Sequence, residues 1–196
     1  MIKLRLIKDK EFIRGKAPMT KEDIRALSIW KMNLNEESNV LDIGSGTGTI
    51  TVQSAIIAKN GKVYSIERDE EAYKISLENI KKFNATNVLL EKGEAKDILD
   101  KYIEDKLSFD SIFIGGSGGD LELLIEKSDL LLKDKGTLVM NFITLNNAYK
   151  GIEKIRSLNY KVEITSVNIS KSREDSYMMI ANNPIYIISC YKGGML

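Results

Sequence analysis

The sequence has no histidine and very little cysteine or proline, and these shortages limit its chemistry. Without histidine among its 196 residues, it lacks the usual general base at neutral pH and the commonest metal ligand in proteins. Its single cysteine, Cys190, can form neither an internal disulfide nor a thiolate zinc site. We therefore expect no metal centre and no hydrolysis by a serine, histidine and aspartate triad. The unpaired cysteine also favours a reducing cytoplasm.

The sequence also lacks an excess of charge of one sign and a long apolar run. It contains 29 Lys and Arg residues against 28 Asp and Glu residues, so no overall field draws it onto nucleic acid or anionic lipid. Its longest uncharged apolar run, near residues 55–58, is far shorter than the ~20 residues of a membrane span. Charges interrupt each short apolar run at the start of the chain, unlike a signal peptide. These features predict a cytoplasmic protein without a nucleic-acid or membrane partner.

What the sequence does contain is an alternation of short aliphatic runs and amphipathic stretches. Amphipathic periods separate the runs, for example Tyr73, Leu77 and Ile80. Such an alternation predicts a parallel sheet with right-handed crossovers, and the length suits a single domain over residues 1–196. The five predicted strands are Val40–Ile43, Lys62–Ile66, Val88–Leu90, Ser111–Ile114 and Thr137–Met140.

The two ends of the sequence depart from this alternation. Residues 1–12 alternate weakly, as in a small strand, and residues 20–23 have the form of a capping box that opens a helix. A helix over residues 146–158 is predicted after the fifth strand, and extended runs follow at 161–168 and 185–191. The polar segment between those two runs predicts a hairpin-like return, which makes the last pair of strands antiparallel.

A loop rich in glycine follows the first predicted strand. Gly44, Gly46 and Gly48 come after Asp42 in the pattern G-x-G-x-G, whereas the dinucleotide pattern G-x-G-x-x-G would need glycine at position 49. Glycines at such a turn permit positive φ and let backbone N–H groups approach a ligand. Glu67 closes the second strand 23 positions after Gly44, where a carboxylate can accept hydrogen bonds from both hydroxyls of a ribose.

The strand, Asp42, the alternate glycines, the following helix and Glu67 together resemble the S-adenosylmethionine (SAM) site of the Rossmann-like methyltransferases. The resemblance implies that the loop 44–48 cradles the methionine part of SAM, that Asp42 helps to orient it and that Glu67 holds the ribose. The backbone of Ala95 is then the expected adenine contact, whereas Asp97 is interpreted as a helix cap. The residues implied to bind SAM here are Asp42, Gly44, Ser45, Gly46, Thr47, Gly48, Glu67 and Ala95.

A second glycine-rich loop follows the fourth predicted strand. In open parallel sheets the ligand crevice lies outside the carboxyl ends of the strands, so this loop should border the methyl acceptor beside the first loop. Glycines leave the mouth free of side chains, so a broad, flat substrate can lie against the backbone. A mobile loop capped by Asp120 is the alternative interpretation. The candidate substrate residues are Gly115, Gly116, Ser117, Gly118 and Gly119.

Four longer segments narrow the resemblance: FIRGKAPMTKEDIRAL (12–27), LDIGSGTGTI (41–50), IFIGGSGG (112–119) and LKDKGTLVMNFITL (132–145). Together they are similar to the decarboxylating cobalt-precorrin-6B methyltransferase family of cobalamin biosynthesis. The resemblance implies a class I SAM-dependent fold of the Rossmann-like α/β type. That fold has a seven-stranded, mostly parallel sheet with an antiparallel last strand and helices on both faces.

The same resemblance implies an activity and an assembly. A homotetramer would methylate carbon 15 of a tetrapyrrole, remove carbon dioxide from its carbon-12 acetate and release S-adenosylhomocysteine. Thr20 would contact SAM from the front, within an N-terminal extension and helix, residues 1–33, that covers the cofactor site.

A precorrin carries many carboxylates, so short cationic clusters are expected near its site. Arg14 and Lys16 are the predicted substrate contacts, and Lys171 and Arg173 lie in the polar return. An electron-rich meso carbon can itself be the nucleophile, and positioning alone can promote methyl transfer, so no catalytic residue is assigned.

Two alternatives stay open at this point. One is an RNA or protein-carboxylate methyltransferase, because folds of this type host many acceptors. Against RNA stand the near-zero net charge and the absence, after the fourth strand, of the Asn-Pro-Pro-aromatic motif of base methylases; a similar string at residues 183–186 precedes the last run instead. The other alternative is a SAM-binding assembly or regulatory subunit without catalysis.

Overall fold

The computed structural model describes residues 6–116, 118–173 and 176–193, excluding the side chain of Arg173. Over these residues strands and helices alternate, because β-branched runs form buried strands and amphipathic stretches cover them. A 3-10 helix at Asp9–Glu11 precedes six α-helices: α1 (Glu22–Lys31), α2 (Thr49–Ile57), α3 (Glu70–Lys82), α4 (Ala95–Glu104), α5 (Leu121–Leu131) and α6 (Leu145–Ser157). The strands described are β1 (Val40–Ile43), β2 (Val63–Glu67), β3 (Val88–Lys92), β4 (Phe109–Ile114), β5 (Leu132–Phe142), β6 (Val162–Val167), β7 (Ser170–Arg173), β8 (Ser176–Ala181) and β9 (Ile185–Tyr191).

Seven of these strands form one sheet in the order β3-β2-β1-β4-β5-β9-β6. The strand β1 pairs in parallel with β2 and β4, and its Ile43 lies opposite Ile66 and Ile114. The strand β9 runs antiparallel to both of its neighbours, β5 and β6. The predicted seven-stranded, mostly parallel sheet with an antiparallel last strand is therefore confirmed. Because β1, β2 and β4 are parallel and in register, the turns that leave them meet at one edge of the sheet.

Helices cover both faces of the sheet, because successive strand residues point to opposite sides. In β1, Leu41 belongs to a core cluster with residues of α4, α5 and α6, whereas Val40 belongs to a second cluster with α1 and α2. The longest helices, α3 and α6, have 13 residues each. In the part of the chain that the structure describes, no helix is long and apolar enough to cross a bilayer.

The start of the chain differs from the sequence-based expectation. The strand predicted over residues 1–12 is wrong for its described part, which contains the 3-10 helix. Lys21 is the N-cap of α1 and makes no side-chain cap, so the predicted capping box at Thr20 does not form. Instead the fully buried Arg25 donates from Nη1 to the carbonyl of Thr20 (2.7 Å) and from Nη2 to the carbonyl of Ile7. A buried guanidinium thereby anchors the segment that precedes α1.

The return after β6 brings β9 back antiparallel to β6, as predicted. It also contains two strands that were not predicted, β7 and β8, which form a separate two-stranded sheet outside the main one. Every residue of β8 is exposed, and the side chain of Tyr177 is almost entirely in solvent at 98% exposure. Four consecutive large apolar residues of β8 are therefore not part of the core: Tyr177, Met178, Met179 and Ile180.

Candidate active site

A cavity of about 470 Å³ opens at the edge of the sheet where β1, β2 and β4 end. Its volume falls in the range of small-molecule sites. Of the residues predicted to bind SAM, those that line the cavity are Thr20, Gly44, Ser45, Gly46, Glu67 and Ala95. Of the residues predicted to bind the methyl acceptor, those that line it are Gly115, Gly116 and Gly118.

The two glycine-rich loops contact each other at this edge. A Cβ added to Gly44 would lie 2.8 Å from both the backbone nitrogen and the carbonyl oxygen of Gly116. Gly44 also has a φ of +75°, which disfavours any residue with a side chain. The loops that follow β1 and β4 therefore meet over the carboxyl ends of their strands and open onto the same cavity.

Hydrogen bonds within the protein hold the first loop. Its N–H groups were expected to approach a ligand, but all five donate inside the protein. The acceptors are the Ile66 carbonyl for Gly44 (3.0 Å) and Ser45 (3.1 Å), Glu67 Oε2 for Gly46 (2.7 Å), the Pro18 carbonyl for Thr47 (3.2 Å) and the Ser45 carbonyl for Gly48 (2.8 Å). The glycines thus serve close approach of neighbouring backbone rather than free N–H groups.

Glu67 ends β2 at the rim of the cavity. Its carboxylate accepts from the N–H of Gly46 at Oε2 (2.7 Å) and from the N–H of Asp69 at Oε1 (2.9 Å). The residue is only 7% exposed, so the two backbone donors fix its orientation. Because each carboxylate oxygen can accept a further hydrogen bond, the group can still receive two hydroxyl donors from the cavity side.

Asp42 lies beneath the first loop and does not line the cavity. It is fully buried, the Thr51 hydroxyl donates to its Oδ2 (2.5 Å), and its Oδ1 has no hydrogen-bond partner among the described residues. Burial raises the pKa of Asp42 from 3.8 to about 7 because the carboxylate loses water without gaining a cation. Asp42 therefore has no direct contact with the cavity, and its role in orienting a ligand stays a prediction.

Thr47 and Gly48 do not line the cavity either. The carbonyl of Thr47 accepts from Asn79 Nδ2 of α3 (2.9 Å), which ties the loop to that helix. Gly48 is the N-cap of α2, with a φ of 76°, and a Cβ there would lie 2.4 Å from the Ser76 hydroxyl. These two residues support the loop from behind.

The segment before α1 reaches the cavity only at its end. The backbone of Ile13 is fixed by the Asn79 side chain, which donates from Nδ2 (3.0 Å) and accepts at Oδ1 (2.8 Å). The segment then passes over the first loop, where the Pro18 carbonyl lies 2.6 Å from the position of a Cβ on Gly46. Thr20 follows and lines the cavity.

Arg14 and Lys16 lie on the exposed approach of this segment along α3 and do not line the cavity. Arg14 instead borders a separate shallow depression with Lys8, Lys10 and Lys171. The prediction that Arg14 and Lys16 lie at the substrate site is therefore not supported by the geometry. Spacing near Thr20 suggested proximity, but the chain bends at Lys16 and Ala17 between Arg14 and Thr20.

Several other predicted residues also lie away from the cavity or outside the described residues. Gly119 does not line the cavity, and Ser117 lies outside the described residues. Asp97 lies in the first turn of α4, whose N-cap is Glu94, so the cap interpretation of Asp97 is wrong. Lys171 pairs with Glu22 (3.2 Å) and Asp23 (2.5 Å) of α1, and the side chain of Arg173 lies outside the description.

The sequence reasoning missed several residues that line the cavity. Two are cations, Lys21 and Arg68, and Arg68 approaches Glu94 at 3.6 Å. Arg68 directly follows Glu67 and could have been found from that position. Asn141 near the end of β5 could have been found by the rule that ligands bind at the carboxyl ends of parallel strands. Asn182 and Asn183 come from the far end of the hairpin, and no local signal points to them.

Comparison with known proteins identifies the family of this chain. A family model described as a precorrin methyltransferase domain matches residues 11–175. The chain belongs to this precorrin methyltransferase family. A family relative from Sulfurisphaera tokodaii, named "Probable cobalt-precorrin-6B C(15)-methyltransferase (decarboxylating)", is 39% identical over 186 residues, which are 93% of this chain and 95% of that protein.

Solved structures of the family share the fold over nearly the whole length. The precorrin-6y C5,15-methyltransferase from Geobacter metallireducens is 34% identical, with a TM-score of 0.91 over 97% of this chain and 98% of that one. The precorrin 8w decarboxylase from Methanobacterium thermoautotrophicum is 29% identical, with a TM-score of 0.87 over 94% of this chain and 98% of that one. The family resemblance carried by the four sequence segments is thus confirmed.

Proposed function

We propose that the protein is a SAM-dependent methyltransferase that methylates carbon 15 of cobalt-precorrin-6B and removes the carboxyl group of the carbon-12 acetate. The observation that carries this proposal is the contact between the loops after β1 and β4, where Gly44 meets Gly116 on a shared cavity. The loop after β1 suits a methyl donor, and the loop after β4 suits a flat methyl acceptor. The names of the relatives supply the substrate.

The donor half of the cavity fits SAM. Glu67 can accept both ribose hydroxyls, and Ala95, which lines the same cavity, would offer its backbone to the adenine. The hydroxyl of Ser45 is buried at the cavity wall and has no hydrogen-bond partner among the described residues, so it can serve the methionine part. When bound, SAM supplies an electrophilic methyl group on its sulfonium. Thr20 and the rest of residues 1–33 would cover it from the front.

The acceptor half calls for positioning rather than acid or base catalysis. The glycines after β4 expose backbone to the substrate, and a fixed in-line approach can lower the barrier by several kcal/mol without a proton transfer. A cavity of about 470 Å³ suits one small ligand, so a macrocycle would enter by one edge and remain at the mouth with its other carboxylates. Lys21 and Arg68 are the cations placed to meet those carboxylates.

The activity is tested by measuring the mass of the tetrapyrrole product. Purified protein is incubated with isotope-labelled SAM and precorrin-6B, with and without cobalt, and the product is weighed. The expected product has gained one labelled methyl group and lost one carbon dioxide. A gain of methyl without the loss of carbon dioxide would leave only the methyl transfer standing, and the absence of labelled tetrapyrrole would refute the proposal.

The role of Glu67 is tested by SAM binding. Glu67→Ala should weaken the binding of SAM by about 1 to 3 kcal/mol, since it removes a charged, buried hydrogen-bond acceptor. Isothermal titration calorimetry measures the change, and Glu122→Ala on the exposed face of α5 is the matched control. An unchanged affinity in the Glu67 variant would show that the ribose lies elsewhere.

We also propose that the protein forms a homo-oligomer, a tetramer by family resemblance, in the cytoplasm. The exposed apolar side chains of β8 support a contact surface there, because such a group rarely stays in solvent on a monomer. Sedimentation velocity should show an oligomer for the wild type and smaller species for Tyr177→Asp. A monomeric wild type would overturn this part of the proposal.

A further inference from the structure

The charged residues that line the cavity all precede β4 in the chain. They are Lys21, Asp23, Glu67, Arg68, Asp69 and Glu94. After β4, every described lining residue is uncharged. Beyond the glycine loop and α5, these uncharged residues are contributed by β5, β6, β9 and the segments that join them. We call this set the neutral wall: Asn141, Ile143, Val167, Ile169, Asn182, Asn183 and Ile185.

The sheet order puts the neutral wall on the acceptor side. The lining residues that end or follow β1, β2 and β3 lie on the donor side, and the strand order continues through β4 to β5, β9 and β6. The glycine loop after β4 therefore separates the donor half from the neutral wall. Two further charged lining residues, Lys21 and Asp23, come from the start of α1, which packs against β5 and β9, so only the wall's own residues are free of charge. Lys171, which lies close to this wall along the chain, already pairs with Glu22 and Asp23 of α1.

A partly buried hydrogen bond fixes the polar centre of the wall. Asn141 Nδ2 donates to the Ser28 hydroxyl (2.8 Å), and that hydroxyl donates to the Ile24 carbonyl (2.9 Å). Ser28 is fully buried, and its hydroxyl has two acceptors within reach, the Ile24 carbonyl at 2.9 Å and Asn141 Oδ1 at 3.2 Å, while it accepts from Asn141 Nδ2. The wall thus presents a fixed, neutral amide rather than a mobile charge.

Resting on the function proposed above, we propose that the neutral wall receives the carbon-12 acetate and promotes its decarboxylation by denying it a cation. Carbons 12 and 15 lie along one edge of the macrocycle. If carbon 15 faces the donor across the glycine loop, the donor residues occupy one side of that loop and leave the acetate the other side, which is the wall.

The chemistry follows from the lost solvation of the carboxylate. The wall is partly exposed in the free protein, so the loss of water has to come from the bound macrocycle that covers it. A carboxylate held between the macrocycle and these amides and aliphatic groups, without a cation, is destabilised. In the reaction the bond between the acetate methylene and the carboxyl carbon breaks, and its electron pair moves onto the methylene and into the conjugated ring. Carbon dioxide leaves, and the methylene takes a proton from water to become a methyl group. The negative charge is dispersed in the transition state, so the wall raises the energy of the reactant more than that of the transition state.

The test adds a cation to the wall. Ile143 lines the cavity but is 73% exposed, and Asn182 is exposed, so Ile143→Lys and Asn182→Lys place an ammonium there with little effect on folding. Each variant should bind cobalt-precorrin-6B at least as tightly as the wild type in an absorbance titration. Each should release carbon dioxide about ten-fold more slowly in a single turnover, which corresponds to about 1.4 kcal/mol of added reactant stabilisation.

Two comparisons isolate the effect of charge. Ile143→Gln changes the same position without adding a charge. It should not combine tighter binding of cobalt-precorrin-6B with slower release of carbon dioxide. Leu130→Lys adds the same charge on an exposed position of α5 away from the cavity and should behave as the wild type.

Carbon dioxide release at the wild-type rate in both wall variants would overturn the inference, and so would slower release accompanied by weaker binding. A wild type that neither transfers methyl nor releases carbon dioxide would instead refute the proposed function.

Discussion

The buried carboxyl of Asp42 allows a quantitative prediction. It lies beneath the first glycine loop with one hydrogen bond, from the Thr51 hydroxyl to Oδ2, and no partner for Oδ1 among the described residues. Its pKa is raised from 3.8 to about 7 because burial penalises the charged form. The change Asp42→Asn keeps the shape and can still accept from Thr51, but it cannot ionise.

The magnitude follows from the difference in pKa between the folded and unfolded chain. The rise of the pKa from 3.8 to about 7, at about 1.36 kcal/mol for each pH unit, corresponds to a free energy on the order of 4 kcal/mol. Because the folded pKa is the higher one, the folded state retains a proton that the unfolded chain releases. The stabilisation from that proton is full below about pH 4 and is lost as the pH rises towards 7. Asp42→Asn should therefore match the wild type near pH 4 and exceed its stability above pH 7 by on the order of 4 kcal/mol.

Urea unfolding of both proteins between pH 4.5 and 8.5 measures this difference. Asp134→Asn, the same chemical change on an exposed side chain, is the control and should follow the wild type. If the unfolding free energies of the wild type and of Asp42→Asn run parallel across this range, Asp42 does not carry an elevated pKa and the reasoning from its burial fails.

Three further predictions follow from the packing of the loops and the core. Gly44→Ala should lower the unfolding free energy by about 1 to 2 kcal/mol for its left-handed backbone alone, and more for the collision with Gly116. Gly116→Ala, whose added carbon meets its nearest atom at 4.0 Å, should cost far less, and equal losses in urea would contradict this account. Cys190 is buried, which raises the pKa of its thiol to about 12, so a disulfide reagent at pH 8 should label it only after unfolding; rapid labelling of the native protein would be the contrary result. Arg25→Met should cost about 3 to 5 kcal/mol, because it removes the buried guanidinium that pairs with Asp9 (3.2 Å) and donates to the carbonyls of Thr20 and Ile7. Arg156→Met, at a side chain that is 63% exposed, is its control, and equal thermal stability of the two variants would speak against the anchor.

The strands were predictable because their signal is local. The bounds of β1 agree with the sequence at both ends, since the short run of three aliphatic residues and Asp42 between Asn39 and Gly44 is a local signal. The strand β5 extends from Leu132 to Phe142, beyond the predicted Thr137–Met140. Its first half includes exposed charged residues, Asp134 and Lys135, that carry no hydrophobic pattern.

The position of a site residue was predictable where the residue lies at the end of a strand. It was not predictable where the direction of the side chain decides whether it meets ligand or core. Glu67 and Gly116 follow strands whose carboxyl ends share one edge, so their place at the cavity follows from the parallel order. Asp42 is part of a strand, and whether its carboxyl meets ligand or core depends on the helix packed over it. Arg14 is near Thr20 in sequence, but the two residues border different cavities.

Hydrophobic periods and glycine spacing along the chain were sufficient for the order of elements, the two loops and the acid at the end of β2, because each depends on neighbours within a few positions. The meeting of Gly44 with Gly116, the shared wall of Asn141 and Asn182, and the anchoring of Ser28 to Asn141 depend on which strands pair and which helix covers them. Those pairings join segments up to 113 positions apart, as between Ser28 and Asn141, and free energy summed over the whole core selects them.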